Sequence, residues 1–186
     1  AGPAFRRGPA PVRPRLAALA GGMIRRPPAM ISAALLFATP ALARDSLGLF
    51  DGWAAFRDPR VPRCYAIALA EPSNLQRDFQ PYASVGTWPR RQVRNQVFFQ
   101  LSRRTQPGRP MTLAIGAQRF DLVGGGGQAW AADRRMDAAI VAAMRSARSM
   151  TLSARDASGR GFSNTWPLAG AATAMDAAAI GCARLK

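Results

Sequence analysis

Three groups of side chains in this sequence could do chemistry: ten carboxylates, two cysteines and a large excess of arginine. Histidine is absent, which removes the usual general base at neutral pH and the commonest metal ligand. Two cysteines are too few for a four-thiolate zinc site. The only lysine is Lys186, so serine nucleophiles lack a basic partner. We therefore predict no catalytic, cofactor-binding or metal-binding residues.

Two of the carboxylates, Asp133 and Asp137, have a spacing that could serve acid and base chemistry. Residues four apart are neighbours on one face of a helix. A structural role explains both more simply, because Asp133 is placed as an N-cap and Asp137 lies where the helix dipole favours a carboxylate. A hydrolase that uses carboxylates is therefore the most distant functional alternative.

Arginine pairs recur along the chain, and aromatic residues accompany two of them. The net charge is +16, and residues 44–186 alone carry 20 basic and 10 acidic residues. Such a field attracts anionic partners, and arginine beside exposed rings can also stack bases. The predicted anion-binding residues are Arg90, Arg91, Arg103 and Arg104, with Trp88, Phe98 and Phe99 nearby. Ordinary solvation of a surface encoded by GC-rich codons remains the alternative.

The first 43 residues contain the three parts of an export signal in the usual order. Met23 opens a short segment with Arg25 and Arg26, residues 29–37 are almost all apolar, and residues 41–43 read Ala-Leu-Ala. The apolar run is about ten residues long, whereas a membrane-spanning helix needs about 20. We therefore expect a helical signal peptide over residues 23–43, no integral membrane span in the mature protein, and a periplasmic or secreted location.

Residues 1–22 are basic and rich in proline and glycine. We expect them to be a disordered upstream segment that is not translated in the native protein; a basic arm that binds an anion is the alternative. Residues 44–186 have the length of one domain. We expect them to form a single β-rich domain.

Export changes the interpretation of Cys64 and Cys182. In an oxidising compartment, a lone pair of cysteines usually forms a structural disulfide. A bond between positions so far apart closes a long loop in the unfolded chain, which stabilises the fold by at most about 4 to 5 kcal/mol. We predict a disulfide between Cys64 and Cys182, with two reactive thiols as the alternative.

Short strands are the elements that must position these side chains. From residue 51 to residue 121, aromatic and β-branched segments are punctuated by proline or glycine. Alternation is clearest in 96–101 and 111–115, where every second side chain would face a core. The predicted strands are 53–56, 64–69, 82–88, 96–101, 111–115, 119–123, 150–155 and 162–168.

Two helices complete the predicted fold. Met136, Ile140 and Met144 recur at helical spacing and predict a helix over 133–148. An alanine-rich helix over 171–183 would turn Cys182 towards the sheet. Glycines 124–127 lack the lysine and serine or threonine of a phosphate-binding loop, so a flexible connector is expected there. We predict a mainly β fold, a β-sandwich or partly open barrel, with two packed α-helices.

The order of these pieces resembles the invasion-associated locus B family of exported bacterial proteins. The likeness is carried by Asp51-Gly52-Trp53, by the strand Cys64-Tyr65-Ala66-Ile67, by the Asp-led helix over 133–144, and by Leu168-Ala169-Gly170 before the last helix. Members usually have a cysteine soon after the early tryptophan, where this chain has Phe56 and Arg57.

The resemblance implies a periplasmic or surface-exposed β-rich protein, linked in some pathogens to host-cell invasion, and it supplies no catalytic residues. We accordingly expect a non-enzymatic exported protein that binds or protects an unidentified component of the cell envelope. The alternative is an arginine-rich surface that binds an anionic polymer, whether polysaccharide, lipid headgroup or nucleic acid.

Overall fold

The computed structural model describes residues 44–106 and 108–183, so the predicted signal peptide and the segment before it lie outside the described residues. This part of the chain contains ten strands and two α-helices. The strands are β1 (Asp45–Phe50), β2 (Trp53–Asp58), β3 (Arg63–Leu69), β4 (Tyr82–Trp88), β5 (Val93–Gln100), β6 (Met111–Ile115), β7 (Gln118–Gly125), β8 (Gln128–Trp130), β9 (Ser149–Arg155) and β10 (Gly161–Pro167). The helices are α1 (Arg134–Met144) and α2 (Ala171–Ala183).

All ten strands belong to one antiparallel sheet with the order β1-β2-β3-β4-β5-β8-β7-β6-β9-β10. The sheet is curled, as shown by the packing of Phe99 on β5 against Trp166 on the distant strand β10, with ring centroids 5.4 Å apart. The indole nitrogen of Trp53 on β2 also donates a hydrogen bond to the Pro167 carbonyl at 2.9 Å. The two halves of the sheet thus enclose a common core, and the predicted mainly β fold is confirmed.

Helix α1 begins where its sequence predicts. The Asp133 carboxylate accepts a hydrogen bond from the Met136 amide at 2.8 Å and caps the helix. Ile140 and Met144 are fully buried, as their spacing predicts. The helix ends at Met144 rather than at residue 148, because the Arg145 amide bonds to the Ala142 carbonyl in a tighter turn.

Helix α2 packs on strands β1 to β4 and is tied to the sheet covalently. The predicted disulfide is confirmed: Cys64 on β3 is bonded to Cys182 on α2, with their Cα atoms 5.6 Å apart. Both residues are buried. Neither α1 nor α2 has the length and apolar character that a membrane-spanning helix needs.

The glycine-rich segment is ordered, so the expectation of a flexible connector there is wrong. Gly124 and Gly125 end strand β7, and Gly126 and Gly127 form the turn into β8 with positive φ angles of 64° and 96°. A Cβ at Gly124 would collide with the Gln128 carbonyl on the paired strand. Glycine is required because the two backbones of this hairpin approach so closely.

Candidate functional site

The four arginines predicted to bind an anion lie at opposite ends of strand β5. Arg90 and Arg91 lie in a single 3₁₀ turn, Pro89–Arg91, before the strand begins. Arg103 and Arg104 follow its last residue. A strand of this length spans roughly 25 Å. The structure therefore does not bring the two pairs together.

The second pair contacts two carboxylates. The Arg103 guanidinium forms an ion pair with Asp156, with Nη1 and Oδ2 2.8 Å apart. The backbone amide of Arg104 donates to the Asp78 carboxylate at 2.9 Å, and its guanidinium lies 5.2 Å from the centre of the Phe79 ring. Arg103 thus has a buried acidic partner, which it shares with Arg160, whereas the Arg104 guanidinium forms no ion pair with a described carboxylate.

Asp156 organises that end of the molecule. Its carboxylate accepts hydrogen bonds from the Ser158 hydroxyl at 2.6 Å and from the Arg160 amide at 3.0 Å, besides the Arg103 pair. The Ser158 hydrogen bond, followed by those from the Arg160 and Ser158 amides and from Arg103, holds the pKa of Asp156 below its ordinary value. The ionised carboxylate thus stabilises the β9–β10 turn through hydrogen bonds to Ser158 and Arg160.

The first pair has a different setting. Cys64 on β3 lies opposite Thr87 on β4, so the β2–β3 turn, residues 59–62, lies beside the Pro89–Arg91 turn. Arg60 lies in the β2–β3 turn, and Arg94 is the second residue of β5. We name this surface the arginine end; it consists of Arg60, Arg90, Arg91 and Arg94.

The charge of the arginine end is not neutralised within the described part of the chain. All four guanidinium groups belong to exposed residues, and none forms an ion pair with a described carboxylate. Asp58, the acid in the neighbouring turn, is buried and already lies within 3.6 Å of Arg44 and 3.5 Å of Arg63. The local excess of positive charge is therefore available to an external anion.

An open cleft of about 740 Å³ lies at the arginine end. Arg94, Asn95 and Gln92 line one wall, and residues near the end of α2, including Cys182, line the other. Asn95 and Gln92 have φ angles of 54° and 52°, which non-glycine residues adopt rarely and at a cost. Sequence patterns do not single out Arg60, Arg94 or this cleft, because the residues come from three separate segments.

The neighbouring phenylalanines of β5 face in opposite directions. Phe99 is fully buried against Trp166. Phe98 lies on the other side of the strand between Tyr82 and Trp130, with ring centroids 5.6 and 5.3 Å away. Of the aromatic residues placed near the arginine pairs by sequence, Phe99 thus belongs to the core.

Phe98 is part of an aromatic surface on the strands. Strand register places Phe56 opposite Tyr65, and Phe98 between Ser84 and Trp130. A Cβ on Gly86 would contact the indole of Trp88, so that indole lies over the glycine, which pairs with Tyr65. We name this surface the outer face; its partly exposed rings are Phe56, Tyr82, Trp88, Phe98 and Trp130, and the Tyr65 ring among them is buried.

Uncharged polar side chains separate these rings. Gln100 lies between Tyr82 and Gln128 in the strand register, and Gln96 lies opposite Gly86. The aliphatic neighbours Leu69 and Val123 are 60% and 49% exposed. The outer face is therefore a mixed surface of rings, amides and aliphatic groups.

No helix of the described chain covers the outer face on strand β3. Side chains alternate along a strand, so Cys64 and Tyr65 point to opposite sides of the sheet. The disulfide from Cys64 holds α2 on the inner side. Helix α1 instead meets the edge of β5 beyond the end of β8, where the Val97 amide donates to Asp137 at 2.8 Å.

The two helix carboxylates have structural contacts. Asp133 caps α1, whereas Asp137 is buried and accepts the Val97 amide. Burial raises the pKa of Asp137 above its ordinary value, although the Val97 hydrogen bond opposes the shift. Among the residues described, no three cysteine or acidic side chains come together as a metal site.

Comparison with known proteins identifies no relative. No family model matches the chain, and neither a curated protein nor a solved structure is significantly similar to it. The resemblance to the invasion-associated locus B family accordingly stays a prediction.

Proposed function

We propose that this chain is an exported, non-enzymatic protein of the cell envelope that binds an anionic polymer at its arginine end. The observation that supports the proposal is the excess of exposed arginine there, drawn from two adjacent turns and the first residues of β5. Asp58, which precedes the β2–β3 turn, is already within ion-pair distance of Arg44 and Arg63.

Electrostatics favours a polymer over a single small anion. Exposed charges are screened within about 8 Å at physiological salt, so one arginine contributes little to affinity. Several unneutralised guanidinium groups on one surface can each contact a charge of the same polymer chain. Binding should therefore weaken steeply as salt rises.

The disulfide supports an extracytoplasmic location. Bonds of this kind persist in oxidising compartments and are rare in the bacterial cytosol. The export signal predicted over residues 23–43 and the resemblance to exported envelope proteins agree with that location. We propose a periplasmic or secreted protein that binds or protects an envelope component.

Substitution of the arginine end tests the binding site. Polygalacturonate and polyphosphate serve as probes, and the oxidised protein is titrated with each at low and moderate salt. The test variant carries Arg60→Gln, Arg90→Gln, Arg91→Gln and Arg94→Gln. We expect about a tenfold or greater loss of affinity for both probes, because each substitution removes a charged contact.

A matched control removes the same amount of charge elsewhere. Arg77, Arg134, Arg135 and Arg148 are exposed and form no ion pair with described carboxylates. Their combined change to Gln should weaken binding only about two- to threefold, through the lower net charge. Equal losses in the two variants would overturn the arginine end as the binding site.

Export has its own test. Expression of the full chain in a bacterial host, followed by amino-terminal sequencing of the exported protein, should give Arg44 as the first residue. Mass spectrometry should find Cys64 and Cys182 bonded to each other. A full-length cytosolic product with two free thiols would contradict the proposed location.

A further inference from the structure

We infer that the outer face is a sugar-stacking surface and that the polymer bound by this protein is an acidic polysaccharide. The inference rests on the proposed function, because it identifies the chemical class of the polymer bound at the arginine end. It depends on three observations: the rings of the outer face, the amides between them, and the distribution of charge around them.

The rings suit a ligand that has both apolar and polar faces. A sugar ring presents C–H bonds on its flat face and hydroxyl groups at its edge. The π-system of an aromatic ring attracts the positively polarised C–H bonds, and half-buried tyrosine and tryptophan leave their polar tips free for hydrogen bonds. Phe98, Trp130 and Tyr82 form a contiguous group of such rings on strands β4, β5 and β8.

The amides suit the hydroxyl groups of the same ligand. Gln96 lies two residues before Phe98 on β5, and Gln128 lies two residues before Trp130 on β8, so each amide is on the same face as its neighbouring ring. A primary amide can donate and accept hydrogen bonds at once, which matches the dual character of a hydroxyl. A lipid surface would leave these amides without water or partners, and that desolvation disfavours it.

The distribution of charge distinguishes a polysaccharide from a single-stranded nucleic acid. A nucleic acid carries a phosphate for every base, so its binding sites combine aromatic rings with a basic groove that follows the backbone. Around Phe98 and Trp130 the paired positions hold Ser84 and Val123, which are uncharged. The four arginines of the arginine end lie before or at the start of β5 instead, which fits a polymer of stacked rings with separate acidic groups.

The arginine end and the outer face are continuous. Trp88 directly precedes the turn that contains Arg90 and Arg91. On the adjacent strand β3, the guanidinium of Arg63, which also pairs with Asp58, lies 4.9 Å from the centre of the buried Tyr65 ring. Successive rows of side chains along a strand are about 7 Å apart. One polymer chain can therefore contact guanidinium groups and rings at the same time.

The experiment separates stacking from charge by a comparison of two polyanions. Polygalacturonate has sugar rings and carboxylates, whereas polyphosphate has charge alone. The variant with Phe98→Ala and Trp130→Ala should bind polygalacturonate at least about tenfold more weakly, by analogy with the loss of stacked rings. Its affinity for polyphosphate should stay unchanged.

Two further variants keep the test valid if that double variant folds poorly. Trp130→Phe keeps a ring and should retain affinity for polygalacturonate, whereas Trp130→Leu keeps only the apolar bulk and should lose affinity. A matched control, Leu49→Ala with Ile180→Ala, removes apolar side chains that are 75% and 71% exposed elsewhere and should change nothing. Circular dichroism establishes that each variant is folded.

The ring variants test the sugar-stacking surface, and the arginine variants test the proposed binding site. Unchanged binding of polygalacturonate by folded Trp130→Leu and by the double alanine variant would overturn the sugar-stacking surface. In that case the arginine variants still decide the proposed function. Conversely, if the arginine substitutions have no effect while ring loss weakens polygalacturonate binding, the proposed arginine site fails and the stacking surface stands.

Discussion

The two ends of strand β5 carry the same dipeptide, Arg-Arg, but only one of the two pairs includes an arginine that is bound to an acid. Past the end of the strand, Arg103 shares the Asp156 carboxylate with Arg160, and the backbone amide of Arg104 donates to Asp78. Before the strand begins, Arg90 and Arg91 have no carboxylate partner among the described residues. The difference teaches that the density of arginine does not define a binding site; the position of the few acids does.

The acids reach these positions through long-range packing. Asp156 belongs to the β9–β10 turn, 53 positions from its partner Arg103. An isolated β-bridge between Thr105 and Asp156 lies between the two segments, and the Ala157 amide donates to the Arg104 carbonyl at 3.0 Å. At the other end, Arg60 comes from the β2–β3 turn, whose acid Asp58 is already shared by two arginines. Contacts between distant segments thus give Arg103 an acidic partner and leave Arg90 and Arg91 without one among the described residues.

Removal of the disulfide should have the largest effect and should act unequally on the two ends. The change of Cys64 and Cys182 to Ser should lower the free energy of unfolding by about 2 to 5 kcal/mol, because the unfolded chain regains a long loop. Amide hydrogen exchange should accelerate in α2 and around Arg94, beside the cleft. Amide exchange around Asp156 should change least. Equal acceleration at Arg94 and at Asp156 would contradict the prediction that loss of the disulfide acts unequally on the two ends.

Replacement of Asp137 should have a smaller effect, because this residue anchors the middle of β5. Asp137→Ala leaves the buried Val97 amide without its acceptor and should cost about 1 to 3 kcal/mol. Asp137→Asn keeps an acceptor oxygen and should cost less. The comparison is made by urea denaturation, and equal losses for Ala and Asn would mean that the hydrogen bond is unimportant.

The pH dependence of the Asp137 variants follows from the raised pKa. In the folded protein the protonated form is favoured by burial. The stabilisation linked to this proton is complete below the unfolded pKa of about 3.9 and is lost as pH rises through the higher folded value. Asp137→Asn should remove this decline in stability, relative to the parent protein, and a decline of the same size in both would contradict the assignment.

Substitution of Asp156 should have the smallest effect on binding and should make the two ends more alike. Asp156→Asn releases Arg103, so affinity for polyphosphate should rise about two- to threefold through the gained positive charge. In the parent protein, the lowered pKa of Asp156 contributes stability above the unfolded pKa of about 3.9, which is lost as pH falls through the folded value.

Thermal denaturation between about pH 2 and pH 6 measures that contribution of Asp156. The parent should lose more stability on acidification than Asp156→Asn. An identical acid profile in the two proteins, or an unchanged affinity for polyphosphate, would show that Asp156 does not neutralise its end.

Much of the secondary structure could be predicted because its signals are local. Strands β4 and β6 and helix α2 have the bounds that alternation and helical spacing predict. Strand β1 was missed, since Gly48, with a φ of 144°, interrupts its pairing with β2 by a bulge. Strand β8 has only three residues, and its register with β5 and β7 is what makes it a strand.

The sequence by itself determined the period of most elements, the cap at Asp133 and the pairing of its only two cysteines, because these depend on neighbours along the chain or on the absence of other partners. The tertiary structure alone decided that Phe98 faces outward while Phe99 is buried, and that Arg103 is paired while Arg90 is not. The physical reason is that the side of a sheet a residue occupies, and the charge that opposes it, are set by strand register and by contacts between residues tens of positions apart.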